Sequence, residues 1–159
     1  MQKQIIDVWK YLSENSVNYL TIGGFAVNIY GYGRNTGDID IFIEDTITNR
    51  ENLRKAIKQM GLGDYESIKT MQFIPGWTDF TLNINFRLDI MTSVKGLENQ
   101  SFAALLEKAN IIDIDGIPVF FIDYDNLIIA KKAANRLKDQ LDIEELEKLN
   151  NRNIYKNYE

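Results

Sequence analysis

The stretch GGFAVNIYGYGRNTGDIDIF, residues 23–42, sets two aspartates inside an apolar run. Asp38 and Asp40 alternate with isoleucines, which is the pattern of a β-strand with one buried face. Aspartate is rare in strands, and two carboxylates about 6–7 Å apart on one face repel each other unless a cation lies between them. The pattern therefore indicates a Mg²⁺ site, since Mg²⁺ prefers carboxylate and phosphate oxygens. The alternative is a half-exposed strand whose polar face meets solvent.

The start of the same stretch predicts a phosphate site. Gly23 and Gly24 form a tight turn between an apolar strand and a helix. Free N–H groups at a helix N-terminus attract anions, and glycine lets a phosphate approach closely. The chain then returns to the acidic strand through Arg34 and Thr36, so that phosphate site and carboxylates would face each other. The glycines could instead serve turn geometry alone, and Arg34 could form a salt bridge with an acidic strand end.

A third carboxylate interrupts a later apolar strand, residues 86–91. Asp89 and Arg87 lie on the face opposite the apolar residues of this strand. If the strand neighbours the first, Asp89 would meet Asp38 and Asp40, and three carboxylates could hold two Mg²⁺ ions about 3.5–4 Å apart. Asp89 could alternatively be an ion-pair partner of Arg87 or Arg34.

Composition excludes several kinds of chemistry. The 159 residues fit one domain, and they contain neither cysteine nor histidine. A disulfide framework, a thiolate or imidazole metal site and a Ser-His-Asp triad are thus excluded. The net charge of −5 argues against a broad basic surface for nucleic acid. The charged N-terminal segment predicts neither a signal peptide nor a membrane span, so we expect a cytoplasmic protein without membrane contact.

Helices and strands are mixed without strict alternation, which predicts an α/β (α+β) domain with a mixed sheet. The domain should span residues 1–159, with a core over about 17–122 and C-terminal helices over about 123–149. Expected details are a helix capped by Thr48, β structure from 70 to 92, a hairpin turning at Asp115-Gly116 and a frayed tail after 149.

The ordered motifs GG, GxGRxTxDID and RLDI, followed by NLIIAKKAANRLKDQLDIEEL, resemble the nucleotidyltransferase fold superfamily. The similarity is strongest to small bacterial members related to AbiEii-type toxins, minimal nucleotidyltransferases and aminoglycoside nucleotidyltransferases. It extends over roughly residues 20–146. The resemblance implies a mixed central β-sheet flanked by helices, with a helical C-terminal segment.

The resemblance also implies roles for individual residues. Asp38 and Asp40 would be Mg²⁺ ligands, and Asp89 would be a third ligand or the base for an acceptor hydroxyl, with two Mg²⁺ ions as cofactors. Nucleotide binding would fall to the backbone N–H groups of the glycine turn, to Arg34, to the Ser/Thr position before DxD and to a C-terminal lysine. Those nucleotide-binding residues are Gly23, Gly24, Arg34, Thr36 and Lys131. Many members have Gly-Ser where this chain has Gly-Gly, which removes a hydroxyl from the phosphate contacts.

The C-terminal charges allow a second interpretation. Five residues could instead form i,i+3 and i,i+4 pairs on an exposed helix face: Lys131, Arg136, Lys138, Asp139 and Asp142. We favour a functional role for Lys131 and a structural one for the two aspartates. Among the aromatic residues, Trp77 and Tyr32 are the candidates to line a pocket.

The predicted activity is Mg²⁺-dependent transfer of a nucleoside monophosphate from an NTP to an acceptor hydroxyl, with release of pyrophosphate. The choice among ATP, CTP, GTP and UTP stays open, as does the acceptor: a small molecule, tRNA or a protein. A second copy of the chain or a partner protein could complete the site. The alternative is a catalytically silent nucleotidyltransferase-like module, a partner or regulator in a toxin–antitoxin-type system.

Overall fold

A computed structural model describes residues 3–83 and 85–156 of the chain. Helices and strands alternate irregularly in this part of the sequence. Their bounds are α1 Lys3–Glu14, β1 Tyr19–Ile22, α2 Gly23–Ile29, β2 Asp38–Ile43, α3 Ile47–Gln59, a 3₁₀ turn Glu66–Lys69, β3 Asp79–Asn83, β4 Phe86–Met91, α4 Phe102–Glu107, β5 Asn110–Ile114, β6 Ile117–Phe121, α5 Tyr124–Ala134 and α6 Leu137–Lys156.

The strands form one mixed sheet in the order β3-β4-β2-β1-β6-β5. The central pair β1–β2 is antiparallel, and each member has a parallel neighbour on its other side, β6 and β4 respectively. The outer strands β3 and β5 pair antiparallel with β4 and β6. A mixed sheet flanked by helices is the architecture that the sequence predicts. Among the described helices, none is both long and apolar enough to cross a membrane.

One face of the central strands forms the core. The isoleucines that alternate with the two aspartates of β2, at 39, 41 and 43, are completely buried. Helix α1 packs its apolar face, including Trp9 and Leu12, into the same core. The Trp9 indole donates a hydrogen bond of 3.0 Å to Thr21 Oγ1, which satisfies the one polar group that this ring buries. The opposite side of β2 is thereby left for the carboxylates.

The hairpin prediction is confirmed. Ile114 and Ile117 are opposite each other in the β5–β6 ladder, and Asp115 and Gly116 between them have φ angles of 53° and 81°. Positive φ at both central residues is the turn geometry that Asp-Gly favours.

Two details differ from the sequence prediction. Residues 70–76 form no strand: Thr78 donates its N–H to the Ile74 carbonyl, and its Oγ1 accepts the Ile74 N–H, so the chain turns around Pro75 and Gly76. Helix α3 is capped two residues earlier than expected, by Thr46, whose side chain accepts the Asn49 N–H. Asn49 is buried, and its side-chain amide donates hydrogen bonds to the carbonyls of Asn18 and Glu44.

The C-terminal helical segment is interrupted. Asn135 has a left-handed conformation with φ of 52°, which ends α5 and lets α6 turn back against it. The second helix continues to Lys156, so the prediction that the segment frays after residue 149 is wrong. The break matters because it brings residues of the two helices together at the cleft.

Candidate active site

Strand register sets three carboxylates side by side. Asp40 on β2 is directly opposite Asp89 on the parallel strand β4. Asp89 is in turn opposite Asp79 on the antiparallel strand β3. Neighbouring strands are about 4.8 Å apart, so the row crosses three strands within about 10 Å. Asp79 was not predicted as a site residue, because its place depends on the β3–β4 register rather than on a local motif.

The glycine turn lies directly against this row. Gly23 has a φ of 65°, and a Cβ at this position would overlap Oδ2 of Asp40. A Cβ at Gly24 would lie 2.5 Å from Thr36 Oγ1 and 3.3 Å from Arg34 Nη1. The two glycines therefore serve turn geometry at Gly23 and close approach at both positions. Acidic strand, threonine and arginine all meet at the start of α2.

The surroundings of Asp40 and Asp89 disfavour the ionised form of both carboxyl groups. Burial, followed by the negative charges of Asp89 and Asp38, raises the pKa of Asp40 to about 6. Burial also raises the pKa of Asp89. Asp89 Oδ2 accepts the Gly76 N–H at 3.0 Å, whereas its Oδ1 is buried and has no hydrogen-bond partner among the described residues. A bound cation or a hydroxyl donor would remove both costs.

Arg87 supplies the nearest counter-charge. Its Nε lies 3.2 Å from Asp38 Oδ1 and its Nη1 lies 3.4 Å from Asp79 Oδ2. The suggested ion pair between Asp89 and Arg87 or Arg34 is therefore wrong, because Arg34 contacts Asp142 instead. In this arrangement the guanidinium bridges the Asp38 and Asp79 carboxylates.

The fit to Mg²⁺ follows from the donor set. Within residues 3–83 and 85–156, no group of three acidic side chains converges in metal-ligand geometry. Asp38 is paired with Arg87. Asp89 Oδ1 has no hydrogen-bond partner among the described residues, and burial disfavours the charge of Asp40. Oxygen donors of this kind suit a hard divalent cation. The residues therefore fit Mg²⁺, provided that Arg87 releases Asp38.

A cationic wall, which comprises Arg34, Lys131, Arg136 and Lys138, faces the carboxylates across the cleft. Arg34 donates two hydrogen bonds to Asp142, at 2.7 and 2.9 Å. Lys131 Nζ lies 2.7 Å from Asp142 and 3.3 Å from Asp139. Arg136 Nε lies 2.6 Å from Asp139.

The wall is not an exposed helix face. Lys131, Asp139 and Asp142 are 5%, 0% and 1% exposed, so the interpretation of these charges as pairs on an exposed helix face is wrong. Burial by itself would raise the pKa of both aspartates, but the hydrogen bonds and charges of the neighbouring cations lower it. Both carboxylates therefore stay ionised and keep the cations in place.

All of these groups except Asp142, which lies behind Arg34 and Lys131, line one cleft of about 520 Å³. This volume is in the range of small-molecule sites. Trp77 and Tyr32 do not line it, contrary to the prediction; Trp77 is 83% exposed, on the turn beside Pro75. Every predicted site residue does line it: Gly23, Gly24, Arg34, Thr36, Asp38, Asp40, Asp89 and Lys131.

The raised pKa of Asp40 predicts a pH effect on the metal-free protein. Protonation stabilises the fold fully below the unfolded value of 3.8, and this stabilisation is lost as the pH rises through about 6. At about pH 7.5, Asp40→Asn should raise the free energy of unfolding by about 1–2 kcal/mol and flatten the profile down to about pH 5. Urea unfolding in EDTA measures both. Equal stability of the two proteins at every pH would contradict the burial of this charge.

A described protein family covers almost the whole chain. Residues 1–158 match the model of a family described as "Nucleotidyl transferase of unknown function (DUF2204)". The chain belongs to this family and is a nucleotidyltransferase. No curated protein sequence matches it.

Solved structures show the same fold at low sequence identity. The lincosamide antibiotic adenylyltransferase LnuA, solved with lincomycin bound, has a TM-score of 0.60 and 14% identity, covering 94% of this chain and 98% of its own. The antibiotic-resistance factor ANT(2'')-Ia has a TM-score of 0.56 and 16% identity, covering 98% and 92%. This chain therefore has the nucleotidyltransferase fold.

Proposed function

We propose that the protein is a Mg²⁺-dependent enzyme that transfers a nucleoside monophosphate from an NTP to an acceptor hydroxyl and releases pyrophosphate. One observation carries the proposal: a row of repelling carboxylates faces a cationic wall across a single cleft, with the glycine turn between them. Such a cleft suits a ligand that brings both metal ions and phosphates.

Asp38 and Asp40 would hold Mg²⁺, with Asp89 as the third carboxylate. When bound, Mg²⁺ would neutralise charge at the α-phosphate and on the leaving group. The carboxylates fix its position because β2 and β4 are adjacent strands in register. The carboxylates of this row carry enough negative charge to balance two Mg²⁺ ions together with the phosphates.

The triphosphate would lie along the other side of the cleft. The backbone at Gly23 and Gly24 can approach a phosphate closely because neither residue carries a Cβ. Thr36 Oγ1 and Arg34 Nη1 lie next to this backbone, and Lys131 lines the same side. The glycine backbone, Thr36 and Arg34 would orient the α-phosphate toward the carboxylate row.

The acceptor would enter from the β3 side. In-line attack requires the hydroxyl to lie opposite the leaving pyrophosphate, and Asp79 and Gly76 line that end of the cleft. If Asp89 does not bind the metal, its unpaired Oδ1 would take the hydroxyl proton, and the raised pKa of Asp89 suits that role. The acceptor oxygen bonds to the α-phosphorus as the bond to the pyrophosphate oxygen breaks. Positioning and electrostatics then supply the rate.

The second candidate is the silent module, a partner or regulator in a toxin–antitoxin-type system. The observation in its favour is the pairing of Asp38 with Arg87, which competes with metal binding. The two candidates differ in nucleotide binding.

Calorimetric titration with non-hydrolysable NTP analogues, with and without Mg²⁺, tests the proposal. Because LnuA is an adenylyltransferase by name, the ATP analogue comes first. We expect binding only in the presence of Mg²⁺. If none of the ATP, CTP, GTP and UTP analogues binds in the presence of Mg²⁺, the protein is not an enzyme of the proposed kind.

Removing the Arg87 charge should strengthen metal binding. Arg87→Gln frees Asp38 and deletes a positive charge beside the site, so we expect the affinity for Mg²⁺ alone to rise roughly fivefold. Titration with Mg²⁺ in the absence of nucleotide measures this. Arg54→Gln, which breaks the surface pair with Asp64 outside the cleft, is the control and should change nothing. Weaker or unchanged Mg²⁺ binding in Arg87→Gln would contradict the competition.

A further inference from the structure

The cations of the wall differ in how freely they can meet a ligand. Two buried carboxylates, Asp139 and Asp142, hold three of the four cations: Arg34, Lys131 and Arg136. Lys138, one residue before Asp139, forms no ion pair with any described residue and is exposed at the cleft. The four cations therefore exceed the two carboxylates by two positive charges, and the excess is on the side that the phosphates would occupy.

Lys131 is committed to the protein. Its ammonium lies within 3.3 Å of both Asp139 and Asp142 and is 5% exposed. To follow a phosphate, it would have to give up its contacts with two buried carboxylates, which Arg34 and Arg136 would then have to neutralise alone. Lys131 therefore stabilises the cationic wall and is poorly placed to contact a ligand.

Lys138 and Arg136 are placed differently. Arg136 uses Nε and Nη2 on Asp139, and its side chain is still 62% exposed. Lys138 and Arg136 line the same cleft as the carboxylate row. Lys95, on the loop after β4, also lines the cleft and is a possible competitor for the phosphates.

We propose that Lys138, assisted by Arg136, contacts the leaving pyrophosphate, and that Lys131 is the buried counter-ion that holds the wall beneath them. The inference rests on the proposed function and names the subsite for its leaving group. When the bond between the α-phosphorus and the bridging oxygen breaks, the electron pair stays on pyrophosphate. The Lys138 ammonium offsets that charge by charge-assisted hydrogen bonds, and no proton needs to move.

The test uses inorganic pyrophosphate with Mg²⁺ as the probe, since it needs no knowledge of the base. Calorimetry compares the wild-type protein with Lys138→Met, Lys95→Met and Lys55→Met, the last an exposed lysine of α3 outside the cleft. We expect Lys138→Met to weaken binding of Mg²⁺–pyrophosphate and of Mg²⁺–α,β-methylene-ATP by about tenfold, because it removes one charge-assisted contact. Binding of AMP should stay within about twofold, and Lys55→Met should match wild type.

Each outcome decides. An unchanged pyrophosphate affinity in Lys138→Met, with wild-type binding intact, overturns the inference and leaves the proposed function standing. So does a loss confined to Lys95→Met, which would move the pyrophosphate to the β4 side. An equal loss for AMP and pyrophosphate in Lys138→Met also overturns it, since the lysine would then serve the whole site. If the wild-type protein binds neither Mg²⁺–pyrophosphate nor Mg²⁺–α,β-methylene-ATP, the proposed function fails as well.

Discussion

The double variant Asp38→Asn/Asp40→Asn is expected to lose Mg²⁺-dependent nucleotide binding and to lower any turnover by about a thousandfold or more. The two carboxylates are the side chains of β2 that face the cleft, and asparagine keeps their size while removing the charge that holds a cation. Because the same charges repel in the metal-free protein, the variant should fold at least as stably as wild type. Calorimetry and a turnover assay measure the first effect, and urea unfolding measures the second.

A matched control distinguishes the loss of a carboxylate in the cleft from the loss of one on the surface. Asp125→Asn removes a carboxylate that is exposed at the start of α5 and does not line the cleft. It should bind the Mg²⁺–nucleotide like wild type. Unimpaired binding in the double variant, with a stable fold, would remove Asp38 and Asp40 from the site altogether.

Lys131→Met should be the most destabilising of the variants considered. It leaves Asp139 and Asp142, both almost completely buried, without the ammonium that lies between them. A buried charge left without any partner costs about 3–5 kcal/mol. Because Arg34 and Arg136 still pair with the two aspartates, we expect a loss of about 2–3 kcal/mol, which corresponds to a decrease in melting temperature of roughly 5–10 °C. Thermal and urea unfolding measure the loss.

The neighbouring lysine provides the control for this prediction. Lys132 pairs with Glu147 at 3.4 Å on the surface, with side chains 60% and 51% exposed. Exposed pairs contribute about 0–1 kcal/mol, so Lys132→Met should be nearly neutral. Equal stability of the two variants would show that the buried network is not what holds α5 and α6 together.

The sequence predicted most of the acidic side of the site. In β2 and β4, Asp38, Asp40 and Asp89 alternate with apolar residues that are buried. Because successive side chains of a strand point to opposite faces, this alternation alone places the aspartates on the face away from the core. The apolar face of α1 and the Asp-Gly hairpin are likewise local signals. Such features are fixed by neighbours in the chain, which is why pattern alone predicts them.

The remaining features depend on contacts between distant segments. Asp79 joins the carboxylate row only through the β3–β4 register. Arg87 pairs with Asp38, which lies opposite it in the β2–β4 ladder, and forms no ion pair with Asp89 among the described residues. The burial of Lys131 depends on the break at Asn135, which folds α6 back on α5. None of these contacts has a periodic signature in the sequence.

The central claim is that attack occurs at the α-phosphate. The most direct measurement is ³¹P NMR of an NTP incubated with the wild-type protein and Mg²⁺, with water as a slow substitute for the acceptor. The account predicts nucleoside monophosphate and pyrophosphate, formed only with Mg²⁺ and not by Asp38→Asn/Asp40→Asn. Nucleoside diphosphate and inorganic phosphate would contradict it by showing attack at the γ-phosphate, and an unchanged NTP spectrum would favour the silent module.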